Sequence, residues 1–149
     1  MFGTSGQLII KPNMIELKKD RDLIFKAAPY CIFCFGSQKK ITDHCKEGGE
    51  KNPLWEEVLV FERTTEETLT VQLWDREHIN PDDFICEGTI NITHLLKSGA
   101  QSVYMDLYKK CEFFGKLFME TDFISSSKIV ELTGPLYSES NHLYVNNKF

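Results

Sequence analysis

Short stretches in which apolar and polar residues alternate recur along this chain, and they limit most what it can fold into. Leu69, Val71 and Leu73 alternate with Thr70 and Gln72, Ile90 and Ile92 with Asn91 and Thr93, and Val103, Met105 and Leu107 with Tyr104 and Asp106. Successive side chains of a strand point to opposite faces, so each stretch describes a strand with one face in a core and the other toward solvent. Eight strands are expected, near residues 7–11, 13–17, 29–36, 38–42, 57–62, 68–74, 84–92 and 115–123, with 102–107 as a further extended segment. Turn chemistry separates several of them: KPN at 11–13, EGGEKNP at 47–53 and NPDD at 80–83. In THLLKSG, Thr93 is placed to cap a short helical turn and Gly99 to stop it. Many short strands in one domain, without an internal repeat, predict an all-β antiparallel sandwich or barrel.

These strands must be housed in 149 residues, one domain's worth and enough to bury a core without disulfides or metals. A composition of 42% hydrophobic and 26% charged residues opposes global disorder. The net charge of −5 opposes a general nucleic-acid binder, and no nucleic-acid partner is expected. No apolar run approaches the ~20 residues of a membrane span. The start, MFGTSGQLIIKPN, lacks the basic head and long apolar stretch of a signal peptide. With five cysteines, an odd number, this makes the reducing cytoplasm the expected setting. Cys31 and Cys34 form a CxxC, but inside the strand-like YCIFCF their side chains face opposite ways. Buried apolar cysteines are expected there rather than a zinc site. His44 beside Cys45 supplies too few ligands for a metal. Trp55 reads as a core anchor, with Pro53 setting the start of its strand, and Trp74 as a shield for the acidic loop that follows it.

The acids are unevenly placed. Residues 18–28 carry Asp20 and Asp22; residues 74–84 carry Asp75, Glu77, Asp82 and Asp83. Each group follows a strand-like run. If the sandwich brings both loops to one end, the carboxylates converge, which is costly unless they are protonated, hydrated or bridged by a cation. Flexible, oxygen-rich loops suit calcium, which takes about 6–8 oxygens, better than strictly octahedral magnesium. The plainer alternative is a set of solvated loop acids.

Four motifs in order, GQLIIKPNMIEL, then Asp22 to Tyr30 as D-x5-A-P-Y, then KNPLWEEVLVF and LWDREHINPDDFI, resemble the C2 domain family over roughly residues 5–124. The resemblance implies an eight-stranded antiparallel β-sandwich. Because the leading G-x-L strand has no strand before it and the chain closes with GKLFMETDFI, it implies the family's permuted form, type II. It further implies a calcium site in which Asp22 takes the first acidic position, Asp75 and Glu77 the paired positions, and Asp83 the loop position eight residues after Asp75. Backbone carbonyls of Arg21 and Arg76 match positions that complete the shell. The departure is Ala28, which stands where the family's DPY element has its aspartate. Losing a carboxylate removes charge and ligand oxygens, so a weakened site is expected, with Asp20 and Asp82 as candidates to compensate.

The resemblance also implies that Leu23, Ile24, Phe25 and Ile79 are loop tips that enter an anionic phospholipid membrane surface once calcium offsets the acids. Lys39 and Lys40, with Lys46 and Lys51, are candidates for the basic patch that the family often carries for lipid headgroups; interleaved with Asp43, Glu47 and Glu50, they read first as a solvated strand edge. Residues 1–124 are thus expected to form the sandwich. Residues 125–149, nearly neutral and apolar for a solvated linker, form a C-terminal extension that is either a mobile tail or an element packing on the domain or on a protein partner. No G-x-S-x-G, HExxH or P-loop is present, and no enzyme is expected. Two functions fit these residues. One is a calcium-responsive phospholipid-binding module that recruits a partner. The other, favoured by Ala28 and the apolar extension, is a calcium-independent interaction module. It would act as a scaffold piece of a larger cytoskeletal assembly, ciliary for example, or of a membrane-associated one.

Overall fold

The computed structural model describes residues 4–18, 28–42, 55–77 and 79–128. Eight antiparallel strands dominate them: β1 (Gly6–Leu17), β2 (Ala28–Phe35), β3 (Gln38–Ile41), β4 (Leu59–Arg63), β5 (Thr68–Arg76), β6 (Asp83–Asn91), β7 (Gln101–Lys109) and β8 (Glu112–Ser125). Their lateral order is β3-β2-β5-β6-β7-β8-β1-β4. β6 and β7 share a single paired position, Glu87 with Tyr108. The ribbon therefore divides into two four-stranded sheets, whose inward side chains form one core. Phe33, Leu69, Val71 and Leu73 come from one sheet, and Leu8, Ile15, Met105 and Leu117 from the other. The last strand, β8, lies beside the first, as in the permuted form.

The expected break at KPN is not a turn. β1 runs through it as one strand, with a bulge between Pro12 and Met14 in its pairing to β8. Pro12 has no N–H to donate, which suits it to a bulge. The extra residue, Asn13, turns its carbonyl to the N–H of Trp55 at 2.8 Å. One added residue also reverses the alternation. Leu8 and Ile10 before the bulge, and Ile15 and Leu17 after it, all face the core. The same carbonyl seats Trp55, 2% exposed, as the core anchor expected of it.

The stretch 102–107 belongs to a full strand, β7. The hairpin joining it to β8 turns on Lys110 and Cys111, with φ of 49° and 66°. Two consecutive positive φ angles define the hairpin turn that favours Asn-Gly, and here neither residue announces it. The β2–β3 hairpin is conventional, with Gly36 at φ 61°. Thr93 does not cap the short helical turn at Thr93–Leu95. It is the first residue of that turn, and Asn91 Oδ1 accepts from its N–H at 2.9 Å and its hydroxyl at 2.7 Å.

β3 and β4, the outermost strands, are tied together by a side chain. Gln38 donates from Nε2 to the Glu62 carbonyl at 2.6 Å and accepts the Glu62 N–H on Oε1 at 2.8 Å. The amide stands in for a neighbouring strand on an otherwise open edge.

At the other junction, a Cβ on Gly88 would run into the Asp106 carbonyl and the Met105 side chain. Gly88→Ala is expected to lower stability by about 2 kcal/mol through overpacking, read as a shift in the denaturant midpoint without loss of the folded spectrum. Cysteine accessibility checks the alternation independently. Cys31 and Cys86 face the core, and burial pushes the Cys86 thiol up to about 12. Cys34 is half-buried on the opposite face of β2, and Cys111 is exposed. Alkylation at mildly alkaline pH, mapped by mass spectrometry, is expected to label Cys111 in the native protein, and Cys31 and Cys86 only on unfolding.

Candidate functional site

β1 ends at Leu17, and the chain re-enters the described residues at Ala28, whose register partner is Arg76 near the end of β5. β6 begins at Asp83. The β1–β2 connection therefore re-enters the sandwich at the end of β5 from which the β5–β6 connection leaves, the condition on which convergence of the acids depends. Asp22, Leu23, Ile24 and Phe25 lie outside the described residues, as do Asp20, Arg21, His44, Cys45, Lys46, Lys51 and Pro53.

Alternation along β5 places Asp75 on the same inner row as Leu69, Val71 and Leu73, and the carboxylate is 4% exposed. Its partner across the strands is Asp83, which is exposed. That pairing depends on a bulge between Leu73 and Trp74, where Ile85 is the additional residue. Without it, Leu73 opposite Cys86 would put Phe84, not Asp83, across from Asp75. Two acids facing each other, one of them buried, raise the free energy of the strand pair unless positive charge joins them. Glu77 follows β5 directly. Its Oε2 is shielded from solvent and accepts no hydrogen bond among the described residues. In kind, these carboxylate oxygens fit a hard cation. In number they do not close a shell: no group of three or more His, Cys, Asp or Glu among the described residues is placed to hold a metal ion.

Asp82, a candidate to compensate for Ala28, has a different task. Its Oδ2 accepts from the Tyr30 hydroxyl at 2.6 Å and its Oδ1 from the Glu77 N–H at 2.9 Å. These bonds, the Tyr30 one foremost, hold the Asp82 carboxyl below the usual carboxylate range. Burial, then the bond to Asp82, raises the Tyr30 phenol to about 12. The Arg76 guanidinium lies 5.0 Å from the Tyr30 ring centroid, within cation–π reach. No spacing rule could have found this pair, whose members are 52 residues apart.

Ile79, an expected tip, is 95% exposed. Trp74 does not stand over the acids. It sits on the outer face of its sheet, edge-to-face with Phe84 at 5.5 Å, its indole N–H on Gln72 Oε1 at 3.1 Å. Lys39 and Lys40 are both exposed on β3 but take opposite faces. Lys39 pairs with Cys34 on the outer face, while Lys40 reaches toward the Phe61 ring, 5.9 Å from its centroid. No helix among the described residues is long and apolar enough to cross a membrane.

The likeness to known proteins follows this geometry. Residues 11–109 match the family model of the C2 domain. Elicitor-responsive protein 1 of Oryza sativa subsp. japonica is 34% identical over 83 residues, covering 52% of this chain and 52% of that protein. The 16 kDa phloem protein 1 of Arabidopsis thaliana is 28% identical over 100 residues, covering 62% and 64%. The chain thus spans about half the length of the first relative and under two thirds of the second. Among solved structures, a C2 domain-containing protein aligns with a TM-score of 0.73 at 20% identity, over 85% of this chain and 93% of that one. A C2 domain of plant Extended Synaptotagmin 1 aligns at 0.67 and 19% identity, over 80% and 95%. At such identities the structures speak for the fold alone. With its paired sheets and its family match extending from β1 into β7, this chain belongs to the C2 domain family.

Proposed function

We propose that this C2 domain is a calcium-responsive module that binds anionic phospholipid surfaces, working in the cytoplasm and peripherally on membranes. Members of the family commonly bind calcium and phospholipid and are typically non-catalytic. The observation that carries the reading here is the buried Asp75 opposite Asp83, with Glu77, whose Oε2 is shielded, two residues along the chain from Asp75. Asp75, Glu77 and Asp83, with Asp22 from the β1–β2 connection, would hold the ion. Bound calcium supplies positive charge that offsets these acids and attracts lipid phosphate.

Ile79 then enters the headgroup region, joined by Leu23, Ile24 and Phe25. Each fully buried apolar side chain is worth roughly 1.5–3 kcal/mol, and three or four together roughly 5–10 kcal/mol before ordering costs. Lys39 and Lys40 add cationic contacts along β3. The apolar extension, residues 125–149, recruits a protein partner.

Ala28 favours a second reading, in which calcium plays no part. The domain is then an interaction module within a cytoskeletal or membrane-associated assembly, and the extension is its docking element.

Calcium titration calorimetry together with sedimentation of phosphatidylserine–phosphatidylcholine vesicles separates the two. The wild-type chain is expected to sediment with calcium and to stay in solution with chelator. Asp75→Asn, which keeps the shape but not the charge, is expected to raise the calcium requirement at least tenfold. A wild-type chain that shows neither heat nor sedimentation overturns the first reading. Truncation after Lys128 leaves β8 whole, and normal partner capture by that variant would remove the extension from the docking role.

A further inference from the structure

Asp82 joins three elements through one carboxylate. Tyr30 reaches it from β2, the Glu77 N–H from the end of β5, and Asp82 itself leads into β6. Both bonds are charge-assisted, the stronger class, and the Tyr30 bond is also short at 2.6 Å. A carboxylate engaged through both oxygens in this way is poorly disposed to ligate an ion and well disposed to brace a loop. The two ends of the β5–β6 connection, Glu77 and Asp82, are drawn together by it, and between them Ile79 stands 95% exposed. A tip whose two flanks are tied has little freedom to fold its apolar side chain back onto the sheet. Arg76, packed on the Tyr30 ring next to Asp75 and Glu77, adds a fixed positive charge to the same brace.

We propose that Asp82 is a positioning residue and that its bond with Tyr30 presets the β5–β6 connection, holding Glu77 at the acid end and Ile79 outward before any ligand arrives. This rests on the lipid-binding reading and deepens it. The loop's ordering cost is met on folding, so less of the binding free energy is spent on contact with calcium and membrane.

Tyr30→Phe, Asp82→Ala and Asp82→Asn test this in the full chain. Amide hydrogen exchange in the presence of chelator reads the brace without reference to calcium. The Glu77 N–H is expected to exchange roughly tenfold faster in Tyr30→Phe and Asp82→Ala, while the Lys18 N–H, bonded to the Phe114 carbonyl at 2.9 Å, keeps its wild-type rate. Sedimentation with phosphatidylserine–phosphatidylcholine vesicles reads the function. The same two variants are expected to need roughly tenfold more calcium for half-maximal binding. Asp82→Asn can still accept from Glu77 through Oδ1 and donate to the Tyr30 oxygen through Nδ2, and is expected to stay within about twofold of wild type.

If Asp82→Asn loses as much as Asp82→Ala, Asp82 acts as a charged ligand and the proposal fails. It fails equally if Tyr30→Phe changes neither exchange nor sedimentation. A wild-type chain that ignores calcium, yet shows the expected exchange differences, overturns the lipid reading and leaves the brace standing.

Discussion

In β5 the row of side chains that builds the core ends in a carboxylate. Leu69, Val71 and Leu73 are fully buried between the sheets, and the next position on that face is Asp75. The period of two that makes the strand possible leaves no alternative: an inward Leu73 means an inward Asp75. The apolar contacts that fix β5 also fix the acid at the rim, without help from loop residues. A carboxylate so placed loses hydration, a cost that apolar neighbours alone do not offset. The strand thereby supplies both part of the core and a buried carboxylate at its end.

Register decides what meets Asp75, and bulges decide the register. Ile85 is the additional residue on β6, and because of it Asp83, rather than Phe84, lies opposite. Asn13 does the same for β1. It reverses the inward set in mid-strand, so that Leu8 and Ile10 before it and Ile15 and Leu17 after it line one core despite Pro12. Its displaced carbonyl receives the Trp55 N–H, and the chain ahead of β4 is thereby fastened to β1. At the far side Gly88 lets β6 pass close to β7, where the sheets join through Glu87 and Tyr108. Each irregularity in the ladder thus decides which side chains meet across the strands.

Much of this was legible in the residues. Alternation at 69–73 and 103–107 placed inward rows correctly, because one buried face is all that period two requires. What escaped was anything settled between distant strands. KPN looks like a turn, and only pairing with β8 makes it a bulge within one strand. Lys110–Cys111 carries no Gly or Asn, so the hairpin there is imposed by the strands on either side, against local preference. Thr93 and Asn91 are both capping residues by chemistry, and sequence alone did not rank them. For the site, the sequence showed that Asp75, Glu77 and Asp83 fall within one short run. It did not show that Asp82, their neighbour in the same run, is committed to Tyr30.

That commitment bears on the weak point of the acid set. Ala28 supplies no oxygen where the family has aspartate, and on ligand count alone the cation would be held less tightly. Affinity at an oxygen-rich site depends on rigidity as well as on charge. A connection tied at Glu77 and Asp82, with Arg76 laid on Tyr30, arrives with part of its disorder already removed. Fewer carboxylates also mean less mutual repulsion among the acids before calcium binds. On the proposed reading the two effects act in opposite directions on calcium affinity. The site gives up electrostatic strength with Ala28 and recovers part of it as preorganisation through Asp82. The same tie keeps the apolar Ile79 on the surface, where water gains nothing from it and a bilayer would.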